Sequence, residues 1–173
     1  MPVPVTLRPA VAEDADAIAR VQVETWRAAY RGIVPDRFLD EMDHGERADR
    51  WRRTFADPSE GRTTWVAEDG GEVVGFVALG PSRDDGAAAS VGELYAIYVL
   101  GDRWRRGIGT ALHDVCVAEL RGAGFTEATL WTLDANPASK AFYEGRRWQT
   151  DGTTVPHDFA GTELPLVRYR RLL

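Results

Sequence analysis

Eight consecutive residues carry the densest chemistry in this chain: Arg103, Trp104, Arg105, Arg106, Gly107, Ile108, Gly109 and Thr110. Ahead of them Leu94, Ala96 and Tyr98 alternate with Tyr95, Ile97 and Val99, the period of a strand. Behind them the pattern is helical. A strand that becomes a helix through small residues leaves the first amides of the helix without intrahelical partners, all pointing one way. That is a socket for an anion, and Gly107 and Gly109 allow the backbone to lie against it because no Cβ intervenes. A glycine pair alone shapes many ordinary turns; the preceding strand, the basic rim and the following helix together supply the context such a motif needs.

Two familiar phosphate motifs do not fit. A Walker loop requires Gly-Lys-Ser or Gly-Lys-Thr, and the sequence has neither. A dinucleotide fingerprint places its glycines after an early strand, whereas here they follow the fourth predicted one. The expected ligand is phosphate-rich and of another kind. His44, His113 and His157 are scattered without metal-ligand spacing, so they read as surface or structural residues and no metal is expected. The single cysteine, Cys116, falls on the apolar face of the helix after Gly109, where it reads as a small buried hydrophobe.

The elements that must position this socket follow from periodicity. Val3 to Leu7 is a short predicted strand ended by Arg8-Pro9. A helix from Ala12 to about Gly32 has Glu13, Asp14 and Asp16 in its first turn, where the helix dipole favours negative charge. A short helical segment after Pro35 and another from Gly45 to Phe55 follow, then a turn at residues 57–61. The runs 63–67 and 73–79, joined through Gly70-Gly71, read as a hairpin. Residues 80–90 lack apolar period and read as a mobile surface loop. After the central helix, residues 128–133 form a strand, Asn136-Pro137 starts a helix, and 147–150 and 164–170 are two last strands separated by a loop at 151–161. Pro165 suggests an edge or a bulge there. The sum is an α/β or α+β domain, residues 4–172, with a mixed and mainly antiparallel sheet of about seven strands flanked by helices.

Composition bounds the partners. With 173 residues the chain is about one domain. Its net charge of −6, from 21 basic and 27 acidic residues, argues against nucleic acid or an anionic membrane, although a local basic patch can still hold a small polyanion. No apolar run is long enough to span a membrane, the start of the chain lacks a signal-like pattern, and one cysteine permits no intrachain disulfide. A cytoplasmic protein is expected, monomer or homodimer, since six tryptophans serve core and contact alike.

The stretch 104–109 resembles the pyrophosphate loop of the GCN5-related N-acetyltransferase (GNAT) superfamily, commonly Gln/Arg-x-x-Gly-x-Gly/Ala, with Trp104 in place of the first residue. Asn136-Pro137-Ala138-Ser139-Lys140-Ala141-Phe142-Tyr143 is similar to a second pattern of that family, Asn-x-x-Ala-x-x-Phe-Tyr, with Ser139 in the small-residue place. Downstream the usual Gly-Phe is replaced by Arg147-Trp148. Residues 24–35 also resemble one subgroup, and the likeness covers about Val5 to Leu172. It implies an acyl-CoA N-acyltransferase fold with acetyl-CoA as cosubstrate, held between strands 94–99 and 128–133. Ile97, Tyr98 and Val99 would then bind the pantetheine arm, residues 104–110 the pyrophosphate, and Asn136 with Ser139 the arm near its amides.

Acyl transfer to an amine needs removal of a proton from a group of pKa near ~10 and a proton for the leaving thiolate. Cys116 makes a poor nucleophile, so direct transfer is favoured over a covalent enzyme intermediate. The resemblance makes Tyr143 the acid, with a core aromatic as its alternative. Glu93 is the leading base, acting through water, with a solvated strand-end carboxylate as its alternative. Trp26 and Tyr30, one helical turn apart, and Tyr95 are candidate walls for the acceptor, or simply packing. The expected activity is transfer of an acetyl group to a primary amine of a small molecule or peptide; the alternative is a non-catalytic acyl-CoA sensor.

Overall fold

The computed structural model describes residues 5–58 and 61–173. The alternating runs form seven strands: β1 (Thr6–Pro9), β2 (Thr63–Asp69), β3 (Glu72–Pro81), β4 (Val91–Val99), β5 (Glu127–Leu133), β6 (Gln149–Phe159) and β7 (Thr162–Leu172). They make one sheet in the order β1-β2-β3-β4-β5-β7-β6. Every neighbouring pair is antiparallel except β4 and β5, which run parallel. The predicted mixed, mainly antiparallel sheet is therefore present. The expected strand from Val3 begins outside the described residues and is seen from Thr6; the expected turn at 57–61 lies partly outside them.

Among the described residues five α-helices cover the sheet: α1 (Ala15–Ala29), α2 (Asp36–Asp40), α3 (His44–Ala56), α4 (Ile108–Gly122) and α5 (Pro137–Glu144). Adjacent residues of β3 separate the layers. A Cβ on Gly75 would meet Leu112 of α4, whereas the next side chain, Phe76, packs edge-on against Trp51 of α3 at 5.3 Å. Successive strand residues point to opposite faces, so α3 and α4 lie on opposite sides of the sheet. Caps fix the ends: Asp43 accepts from Glu46 N–H at 2.8 Å and Asn136 from Ser139 N–H at 3.2 Å, each worth ~1 kcal/mol.

The central helix is anchored by Leu112, Cys116 and Leu120, all fully buried, at ~1.5–3 kcal/mol for each large apolar side chain removed from water. Its close approach depends on Gly92, where a Cβ would stand 2.7 Å from Leu120 Cδ2. Gly92 also sits in the middle of the parallel β4–β5 pairing, Val91, Gly92 and Glu93 with Glu127, Ala128 and Thr129. Beyond Glu93 and Thr129 that register stops. A bulge contributes to the divergence: Ala78 pairs with Ala96 but Leu79 with Leu94, leaving Tyr95 as the extra residue of β4.

Two expectations need correction. The last two strands are a long hairpin with a tight turn at Ala160-Gly161, not short strands around an eleven-residue loop. A register shift between Thr150 and Thr154 absorbs Gly152, and Pro156 sits opposite Pro165, so neither breaks the pair. Pro165 lies just beyond the β5 pairing that ends at Leu166. The segment expected to be a mobile loop is tied down in its first half. Asp84 accepts from Trp131 Nε1 at 2.8 Å and from Arg168 Nη1 at 3.0 Å, and Arg83 bonds Glu93.

Candidate active site

The divergence of β4 and β5 opens a cavity of about 1080 Å³. Every predicted site residue lines it except Glu93 and Arg106.

At one end lies the anion socket. Arg105 and Gly107 both have positive φ, 61° and 81°, and α4 starts at Ile108 with Gly107 as its cap. Left-handed residues immediately before a helix turn successive amides inward as an anion-binding nest, which the helix dipole reinforces. Ala111 is the donor to the Gly107 carbonyl, so the amides of Ile108, Gly109 and Thr110 precede the regular helical ladder. Gly109 faces Phe142, whose ring would stand 3.5 Å from an added Cβ. These features fit a pyrophosphate group.

Trp104 has a local task of its own. Its ring is 45% exposed, while Nε1 donates to the Val99 carbonyl at 2.7 Å, beside Thr25 Oγ1 donating to the same oxygen at 3.2 Å. It braces the end of β4. Arg103 is engaged by Asp69 at 3.1 Å and Asp102 at 2.5 Å. A residue that sequence reasoning missed completes this end: Arg146 stacks on Phe142 at 3.7 Å, donates to the Phe142 carbonyl at 2.8 Å and bonds the Thr110 hydroxyl. Its signal in the sequence was weak, one arginine two residues past a helix end.

The middle of the cavity is a cluster of phenols and an amide. Asn136 is buried, its Nδ2 donating to Ser139 Oγ at 2.8 Å, and the Tyr30 hydroxyl lies close enough to both for them to favour its ionised form, against the stronger opposing effect of burial. Tyr143 is buried on the wall beside them. Burial first, and then the neighbouring phenols of Tyr98 and Tyr30, hold its hydroxyl well above the usual phenolic range. Tyr98 is raised as well, chiefly by burial. Cys116 lies behind, its thiol pushed up to about 12 by burial, which keeps it protonated and inert.

The far wall is aromatic. Trp26 contacts Tyr30 at 4.3 Å, Phe38 at 5.8 Å, Phe159 at 6.2 Å and Tyr98 at 6.3 Å. His157 lines the cavity and packs on Phe159 at 4.6 Å. His113 is structural, accepting from Trp148 Nε1 at 3.0 Å. No group of side chains suited to a metal occurs among the described residues.

Glu93 differs from a solvated strand-end carboxylate. It is 1% exposed, and Arg83 occupies both its oxygens, through the backbone N–H at 2.8 Å and through Nη2 at 2.6 Å. Arg83 lies over the Tyr95 ring at 4.2 Å, and the Tyr95 hydroxyl donates to the Pro81 carbonyl at 2.5 Å. Arg83 and Tyr95 form the wall; Glu93 stands behind them.

Comparison with known proteins agrees with this architecture. The acetyltransferase (GNAT) family matches residues 22–147. An N-acetyltransferase of Bacillus subtilis, YuaI, described as uncharacterised, is 37% identical over 81% of this chain and 78% of its own. Among solved structures, the PaiA N-acetyltransferase of Thermoplasma acidophilum, in complex with coenzyme A, has a TM-score of 0.79 at 16% identity, covering 99% of this chain and 100% of its own. A ribosomal-protein-alanine N-acetyltransferase of Brucella melitensis has a TM-score of 0.76 at 23% identity, covering 97% and 99%. At these identities the solved structures report the fold.

Proposed function

The chain belongs to the GNAT acetyltransferase family, and from that premise we propose that it is an acetyl-CoA-dependent N-acetyltransferase passing the acetyl group directly to a primary amine of a small molecule or peptide. The observation that carries this reading is the conjunction, in one cavity, of the Arg105–Gly107 nest, the parting of β4 from β5 above it, and the enclosed Tyr143 hydroxyl. The solved relative with coenzyme A bound adds support for the cosubstrate.

The cosubstrate supplies an activated acetyl thioester. The nest amides and Arg146 hold its phosphates, with Arg105 at the rim. Residues Ile97, Tyr98 and Val99 lie where β4 has left its β5 partner, so their backbone is available to an extended arm that adds like a strand. The Val99 carbonyl is committed to Thr25 and Trp104. Asn136 and Ser139 present polar groups along the same arm. Tyr143 carries a proton toward the thiolate position, and backbone N–H groups near 97–99 polarise the acyl carbonyl. Glu93 takes the amine's proton through water after Arg83 is displaced from it.

A second reading, a non-catalytic acyl-CoA sensor, draws on the ion pair that ties Glu93 to Arg83. One experiment separates the two. Calorimetry should show saturable acetyl-CoA binding, weakened at least ~10-fold when Gly107 and Gly109 are both changed to valine, because Gly107 has positive φ and Gly109 faces Phe142. Labelled acetyl-CoA with a panel of amines should then yield acetylated product. Binding without any product would favour the sensor, and absence of binding would overturn both.

A further inference from the structure

The charge of the cavity is opposite to that of the molecule. The chain carries a net −6, yet among the described residues no aspartate or glutamate lines the cavity, while Arg47, Arg50, Arg83, Arg103, Arg105 and Arg146 do. Four of the six have assigned partners or a place at the socket. Arg103 pairs with Asp69, Arg83 with Glu93, Arg146 bonds Thr110, and Arg105 forms the nest. Arg47 and Arg50 remain, and neither forms an ion pair with a described residue.

These two are three residues apart in α3, so they project from one helical face. The helix lies on the sheet face opposite α4, away from the side on which Arg146 stacks over Phe142. Arg47 is half-buried; desolvation first, and then the neighbouring Arg50, press its guanidinium below its ordinary range, opposed in part by Tyr98 and by Glu46, which makes no ion pair with it. A guanidinium stripped of water without a carboxylate partner is costly, and an incoming oxyanion relieves that cost through charge-assisted, forked hydrogen bonds. Trp26 lines the same cavity, its indole N–H turned toward the Tyr98 hydroxyl. Trp26, Phe38 and Phe159 add an apolar surface.

Resting on the transferase reading above, we propose that the acceptor is a small amino carboxylate, its carboxylate held by Arg47 and Arg50 and its apolar part by the aromatic wall. Cationic polyamines are disfavoured by the same charges.

The test is binding rather than turnover, so that it stands apart from the test of transfer. Calorimetry on the CoA-saturated protein would compare leucine and phenylalanine with leucinamide and phenylalaninamide, and with putrescine. The expected result is at least ~10-fold tighter binding of each carboxylate than of its amide, with putrescine weakest. Arg47→Gln with Arg50→Gln should abolish the discrimination while leaving CoA affinity unchanged. Arg50→Gln alone, at an exposed position, should reduce it and guards against misfolding, which a thermal melt of each variant checks. Amides or putrescine binding as well as the carboxylates, discrimination surviving the double change, CoA affinity falling with it, or no binding across the panel would each overturn the proposal. Amino carboxylates that bind but yield no acetylated product would leave it standing and would fault the transferase reading instead.

Discussion

A phenol as enclosed as Tyr143 keeps its proton through neutral and alkaline pH, because burial and two neighbouring phenols oppose the phenolate. It is therefore a donor, and no alkaline limb of the rate profile below about pH 10 should arise from it. Tyr143→Phe preserves the packing against Trp148 and Tyr169 and should lower kcat by ~10²-fold, with acetyl-CoA affinity unchanged by calorimetry. Equal turnover across the pH profile would remove Tyr143 from the acid role. Glu93 is read by a different measurement. If it accepts the amine's proton, Glu93→Gln lowers kcat by at least ~10² with little change in the KM for the acceptor. If its work is to anchor Arg83 over Tyr95, kcat is largely kept and the KM for the acceptor rises instead.

At the scale of elements, the join between α4 and the start of β6 depends on one imidazole. His113 is buried on α4 and accepts from Trp148 at Nε2, so protonating that nitrogen would break the bond. Burial is the largest cause holding its pKa below the ordinary value, partly opposed by the hydrogen bond to Asp114. The folded pKa is thus lower than the unfolded one. Above about pH 6.5 both states are neutral and the group has no pH effect; as pH falls from there toward the folded value, the unfolded chain takes up the proton first and stability is lost. Thermal melts of the wild type should therefore decline over that window, and His113→Gln should flatten this part of the decline. Arg8 also holds Asp14 below the usual carboxylate range, so a second loss, at lower pH, should survive the substitution.

Across the whole molecule, a net −6 encloses a cavity rimmed by arginine. The acidic exterior repels a polyanion at long range, whereas the socket arginines, Arg103, Arg105 and Arg146, attract it within about 8–10 Å at ordinary ionic strength, a distance beyond which Arg47 and Arg50 on the opposite face of the sheet are screened. Local attraction dominates once coenzyme A reaches the mouth. Raising salt from ~0.05 to ~0.5 M should therefore weaken acetyl-CoA binding several-fold, and the slope should fall on Arg146→Gln. A salt-independent affinity would place the binding energy in the backbone nest alone. No helix is long and apolar enough to cross a membrane among the described residues.

The sequence by itself determined the sheet class, the hairpin at Gly70-Gly71 and the strand-to-helix socket, because each is written in local periodicity and glycine placement. Within the site it indicated Gly107, Asn136 and Tyr143 through short spacings. It did not show that Glu93 faces Arg83, that Asp84 is tied to β5 and β7, or that β6 continues through Gly152 and Pro156. Those outcomes depend on partners far away in the chain: Asp84 with Arg168 is separated by 84 positions. Nor could a composition of −6 reveal a cavity without a lining carboxylate. Only the parting of β4 from β5, and the opposed placement of α3 and α4, brings Arg47, Arg50 and Trp26 to the same space as the socket. Charge becomes an electrostatic property of a site once folding fixes which side chains share a low-dielectric enclosure and which remain in water.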